Sequence, residues 1–169
     1  EWLSYHENGQ LYSKGNYEDG ELDGLSEKYY SDNGQLSSKG NFKNGEEEGL
    51  WVSYYPNGQL GAKGNFINGK KEGLWETYHD NGQLENKNNF QDGIFHGLQE
   101  VYDKNGQLLG REVFKLGTLD GLSEYYHDNG QLMSKGSYKN GKKVGIWEYY
   151  HDNGQLRTKG LVINGNQEG

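Results

Sequence analysis

The chain has 169 residues, of which 31% are hydrophobic, against about 45–50% in an ordinary globular domain, so one thick buried core is excluded. Seventeen Lys and Arg stand against 25 Asp and Glu, a net charge of −8, which disfavours nucleic acid or an anionic bilayer as partner of the surface as a whole. Cysteine is absent, which removes disulfide staples, thiolate metal ligands and a cysteine nucleophile. A mean hydropathy of −1.12 would suit a disordered chain, but 14% aromatic residues are too many for one. The expectation is an ordered protein held by packing and backbone pairing.

The chain opens on Glu1-Trp2-Leu3-Ser4, which has no signal-peptide character. After a half unit over 1–7, the string Asn-Gly-Gln-Leu begins at Asn8, Asn33, Asn57, Asn81, Asn105, Asn129 and Asn153, one step of 25 residues followed by five of 24. A fixed period of this length marks a repeat architecture, read as one array over 1–169 without an internal linker. The longer step carries its extra residue near Lys28–Ser31, as a bulge or a longer turn. Because it begins and stops within units, the sequence is expected to be a piece of a longer array.

Each unit holds two Gly-containing turn signals about 12 residues apart, such as Asn68-Gly69 and Asn81-Gly82, which leaves no room for helices. Asn-Gly and Asp-Gly between short aromatic or Leu-bearing runs signal β-hairpins. The spacing therefore predicts an all-β fold: an elongated single antiparallel sheet of tandem hairpins, about seven 24-residue units, solenoid-like. At ~4.8 Å per strand, equivalent residues of successive units lie ~9.6 Å apart.

Faces follow from the turns. With a three-residue loop at every turn, one face collects the Leu60, Phe66, Leu74 and Tyr78 columns as an apolar stripe, and the column of Glu27, Glu76, Glu100, Glu124 and Glu148 falls awkwardly on it. A two-residue loop at each Asn-Gly is the alternative; it moves Leu and Tyr of the second strand to the other face. The Gly40, Gly64 and Gly136 column is expected to leave bare backbone for a neighbouring ring.

Lys63-Gly64-Asn65-Phe66, Asn68-Gly69 and Gly73-Leu74-Trp75, recurring in phase, resemble the MORN-repeat superfamily, most closely the bacterial variant of YwqK-type antitoxins. The resemblance covers essentially the whole chain. It implies a row of β-hairpins used for interaction, without catalytic residues, and is associated with membrane tethering, scaffolding and an antitoxin role. The fourth and fifth units depart from the pattern: Asn88 and Glu112 stand where the strand Gly is expected. Drift within a repeat is one reading; a kink or a specialised docking site is the other.

Chemistry is sparse. Gly64-x4-Gly69-Lys70-Lys71 lacks the Ser or Thr and the helix of a phosphate-binding loop. His6, His79, His127 and His151 recur at turns, too far apart to share a zinc ion, and are read as solvated. No cofactor, metal or catalytic set is expected, so the chain is read as no enzyme. Sparse Trp argues against a strict sugar-per-repeat code. The candidate binding surface is the cation column Lys39, Lys63, Lys87, Arg111 and Lys135 with Trp51, Trp75 and Trp147 and the tyrosines Tyr54, Tyr78, Tyr102 and Tyr126. In the three-residue-loop register each cation lies beside the Trp of the preceding unit, as Lys63 beside Trp51.

A protein partner is the leading expectation, in a toxin-neutralising antitoxin or a bacterial surface adhesion array. Lipid-headgroup or polysaccharide binding is the alternative, and nucleic acid is excluded. Membrane contact is disfavoured by net charge, and end-to-end or edge self-association is a further possibility of open strands. A bacterial surface or secreted location is favoured over the cytoplasm.

Overall fold

A computed structural model describes residues 1–163 and 165–167. The chain divides into two compact units, Glu1–Gln83 and Leu84–Gly169. The first runs β1 (Trp2–Tyr5), β2 (Leu11–Glu18), β3 (Glu21–Tyr29), β4 (Leu36–Lys43), β5 (Glu46–Tyr54), β6 (Leu60–Ile67) and β7 (Lys70–Tyr78). The second runs β8 (Leu84–Gln91), β9 (Ile94–Tyr102), β10 (Leu108–Lys115), β11 (Thr118–Tyr126), β12 (Leu132–Lys139), β13 (Lys142–Tyr150), β14 (Leu156–Ile163) and β15 (Asn166–Gln167). Within each unit every strand pairs antiparallel with its neighbours in sequence. The described residues contain no helix, so the all-β tandem-hairpin class holds.

The two turns of a repeat are different devices, and this corrects both readings of the register. At Asn68-Gly69 both residues are left-handed (φ 48° and 70°) and Ile67 pairs with Lys70, a two-residue type I′ turn whose twist matches that of the strands. At Pro56-Asn57-Gly58 the Gly58 amide donates to the Tyr55 carbonyl and the Tyr55 amide to that of Gln59, both at 2.8 Å. That is a three-residue loop closing on a left-handed Gly58 (φ 82°). The extra residue of the 25-residue step lies in such a loop, because Gly34 donates to Tyr30 one residue further back while β3 keeps the nine residues of β5.

Two bulges complete the register: a single extra residue beside each three-residue loop, such as Gly61 where Ala62 faces Ser53 and Leu60 faces Tyr54, and a wider one in each type I′ hairpin. Pairing jumps from Lys63 opposite Glu76 to Asn65 opposite Glu72, so Gly73, Leu74 and Trp75 face Gly64 alone. Gly73 takes φ 69° at this point, and a pair of extra residues leaves the alternation of faces intact on either side.

One face therefore gathers the aromatic rings over bare backbone. A Cβ built on Gly64 would stand 2.2 Å from Trp75 Cδ2, and one on Gly136 equally close to Trp147. Phe42, Trp51, Phe66 and Trp75 form a run of edge-to-face contacts at centroid distances of 5.6, 6.0 and 4.9 Å, the geometry that ring quadrupoles favour. Trp75 and Trp147 are 5% and 1% exposed. The expected apolar stripe is corrected accordingly: Phe66 lies on this ring face and Tyr78 on the opposite one, while Leu74 sits in the bulge.

Candidate interaction surface

The opposite face carries the cation column, and its chemistry starts with the alternation along each strand. Lys63 pairs with Val52 on one side and Glu76 on the other, and Tyr78 follows Glu76 by two residues, so Lys, Glu and Tyr share one face. Lys63 Nζ lies 2.7 Å from Glu76 Oε2 and 5.7 Å from the Tyr78 ring centroid, and the Tyr78 hydroxyl donates to Glu76 Oε2 at 3.1 Å. The triad recurs as Lys14–Glu27–Tyr29, Arg111–Glu124–Tyr126 and Lys135–Glu148–Tyr150. In the fourth repeat Lys87 stands opposite Glu100. Lys39 departs from the pattern, because Val52 occupies the Glu position opposite it.

These contacts organise the charges. Lys14 and Tyr29 beside Glu27 hold its carboxyl below the ordinary value, against the opposing effect of burial. Glu148, reached by Lys159, then Lys135 and the Tyr150 hydroxyl, is pulled down to about 2. The reciprocal effect raises Lys14, Lys63 and Lys135. Burial and then the Glu124 carboxylate raise the Tyr126 phenol. The Glu column that sat awkwardly on an expected apolar stripe is thus the anion half of a row of ion pairs.

Beside the triads runs an aliphatic row. In the first unit Leu25, Leu50 and Leu74 are 45%, 58% and 47% exposed, and in the second Leu98, Leu122 and Ile146 stand at the same repeat position and are exposed too. Leu50 is two residues from Val52, opposite Lys63, and so shares the cation face.

The geometry separates the sequence-predicted site residues into two sets. In the first unit Lys39 and Lys63 lie with Tyr54 and Tyr78 on one face, and in the second Lys87, Arg111 and Lys135 lie with Tyr102 and Tyr126. Trp51 and Trp75 of the first unit, and Trp147 of the second, lie on the other face of their own unit, because Trp51 is opposite Gly64 while Lys63 is opposite Val52. The expected pairing of Lys63 with Trp51 is therefore corrected. The cations over the indoles come from four residues earlier in the same strand: Lys71 over Trp75 at 4.4 Å and Lys143 over Trp147 at 4.0 Å.

Two of the turn histidines, His6 and His127, are also corrected, from solvated side chains to braces between turns. His6 Nε2 donates to the Tyr29 carbonyl and His127 Nε2 to that of Tyr150, each at 3.0 Å; a carbonyl only accepts, which fixes the proton on Nε2. Tyr30 and Tyr55 do the same from the same repeat position, to Tyr54 and Tyr78. Asn8, Asn33, Asn57 and Asn129 each donate to a backbone carbonyl of the following turn. The sequence signal was present, in the exchange of His for Tyr at one position, two side chains that share size and a donor. Among the described residues no group of three or more His, Asp or Glu is placed to hold a metal ion.

The family model described as MORN repeat variant matches residues 1–19, 24–44, 47–68, 71–92, 95–116, 119–140 and 143–164. The chain belongs to the MORN repeat variant family, and such repeats suggest a repeat scaffold or binding module. No curated protein matches it. Among solved structures it is similar to one titled "Crystal Structure of TarM", at 11% identity and a TM-score of 0.33, over 78% of this chain and 20% of that one. A likeness that distant carries no functional argument.

Proposed function

We propose that the chain is a non-enzymatic scaffold that binds another protein through the cation face, in the setting of toxin neutralisation by an antitoxin or of a bacterial surface adhesion array. The observation that carries this reading is the aliphatic row Leu25, Leu50 and Leu74, exposed at regular spacing beside side chains whose charges are already paired. An apolar strip rimmed by satisfied polar groups is the composition of a protein interface. The pairing of Lys with Glu leaves little free positive charge for lipid headgroups, which favours protein over membrane as the partner. Trp75 and Trp147 are excluded from the contact because they are buried.

Affinity capture from the native cell tests the reading, comparing the chain with a Leu50→Ser/Leu74→Ser variant. The expected outcome is a partner retained at high salt and lost in the variant, with the circular dichroism of the variant unchanged. Capture insensitive to these substitutions, or abolished by salt alone, would refute it.

A further inference from the structure

The ring face of the second unit is interrupted where the repeat pattern breaks. Across the strands the row reads Asn88, Gln99, Glu112, Ser123, Gly136 by direct pairing, and the Trp147 ring lies over Gly136. Polar side chains hold places that Gly and Trp take at Gly40, Trp51, Gly64 and Trp75 of the first unit. The result is a groove of ≈ 240 Å³ lined by Gln99, Val101, Leu109, Gly110, Glu112 and Tyr125 and the adjoining Arg111. That volume accommodates one long side chain.

Glu112 is the acidic group of this groove, and among the described residues no cation is paired with it. The Tyr125 hydroxyl donates to its Oε1. The two side chains directly opposite are Gln99 and Ser123. Gln99 Nε2 and Ser123 Oγ are both buried without a hydrogen-bond partner, and Ser123 is 0% exposed, so neither donates to the carboxylate. Among the described residues Glu112 makes no salt bridge, whereas Glu124 and Glu148 on the opposite face are paired with Arg111, Lys135 and Lys159. A carboxylate beside buried, unpaired polar atoms is electrostatically incomplete, and a charged donor completes it.

We infer that this groove receives one basic side chain, Lys or Arg, of a protein partner. Its aliphatic stem lies along Val101 and Leu109 and against the Tyr125 ring, and its head donates to Glu112 Oε2. Long cationic side chains bury their stems while keeping the head on a counter-charge, and aromatic faces add to the attraction. The chain's net charge of −8 steers a basic partner surface towards it. The inference rests on the protein-binding reading for the owner of the cation and places a second contact on the face away from the aliphatic row.

The test uses the full ¹⁵N-labelled chain at low ionic strength, titrated with N-acetyl-arginine amide, N-acetyl-lysine amide and the neutral isostere N-acetyl-citrulline amide. The expected result is saturable shifts of the Gln99 side-chain amide with the two charged probes, at least about tenfold weaker with citrulline. The response is lost in Glu112→Gln and kept in Glu148→Gln on the opposite face. Equal binding of citrulline and arginine on the unsubstituted chain would overturn the inference without reference to any variant, as would an undiminished response in Glu112→Gln. Tighter binding of free putrescine than of either amino-acid probe would overturn the assignment to a protein side chain. A groove that prefers the charged probes with no partner captured sinks the protein-binding reading alone; a captured partner with no charge preference in the groove sinks this inference alone.

Discussion

Substituting Gly136 by Ala tests the packing rule of the ring face. The backbone there is an ordinary strand, so conformation does not require glycine; space does. The new Cβ would stand 2.2 Å from Cδ2 and Cε2 of Trp147 and 2.6 Å from its Nε1. Trp147 is 1% exposed and donates to the Ser137 carbonyl at 3.2 Å, so the ring cannot yield without losing both burial and that bond. Overpacking costs about 1–3 kcal/mol, expulsion of a buried Trp about 3–5 kcal/mol at the limit, and replacing a strand Gly returns about 0.5–1 kcal/mol. The expected net loss is about 2–4 kcal/mol, read as reduced amide-exchange protection in β12 and β13, since repeat proteins open locally. The companion variant Gly136→Ala/Trp147→Ser copies the Glu112 and Ser123 pair, where a larger side chain faces a small one. It should lose less than the sum of the single losses by about 1.5 kcal/mol or more. Protection within about 0.5 kcal/mol of the parent for Gly136→Ala, or strict additivity in the double variant, would refute the reasoning.

Gly145→Ala is destabilising for the opposite reason: no atom lies within 4 Å of the added Cβ, but φ is 71°, so urea unfolding should show a loss of about 1–2 kcal/mol from conformation alone. Leu116 occupies the first place of a type I′ turn at φ 47°, where the other five such non-glycine residues are Asn or Asp; Leu116→Asn should raise the free energy of unfolding by about 1 kcal/mol, read as a higher urea midpoint. Acid should destabilise the fold through the ion-paired carboxylates. Glu27 and Glu148 titrate below their ordinary 4.5 in the folded chain, Glu148 at about 2. Their contribution is therefore fully present above pH 4.5 and lost as pH falls towards 2, visible as a falling thermal midpoint over that window that is shallower in Glu148→Gln, where Glu27 still contributes. Alkali acts with the reverse sign, because Lys14, Lys63 and Lys135 are raised above 10.5 and their contribution disappears only as pH rises through those folded values.

The fold was largely legible because its signals are local. Asn-Gly dipeptides specify tight turns whatever surrounds them, and a 24-residue period with two such turns admits little besides hairpins. The candidate surface was half legible. Lys63, Glu76 and Tyr78 were each visible as columns, but which columns share a face depends on counting residues through every turn, and one miscount flips a strand. The loop at Asn57-Gly58 spans three residues and that at Asn68-Gly69 two, although both read Asn-Gly.

Composition and periodicity by themselves determined that this chain is a run of β-hairpins with no thick core and no thiol chemistry, since those conclusions need only residue types and spacing along the chain. Tertiary structure alone decided that Trp75 and Trp147 are packed over Gly64 and Gly136, that Glu76 completes Lys63, and that Glu112 is left without a counter-ion among the described residues. The physical reason is the bulge after Gly73. Two extra residues shift the pairing partner while preserving the alternation, and a shift of partner is a relation between strands that no single stretch of sequence contains.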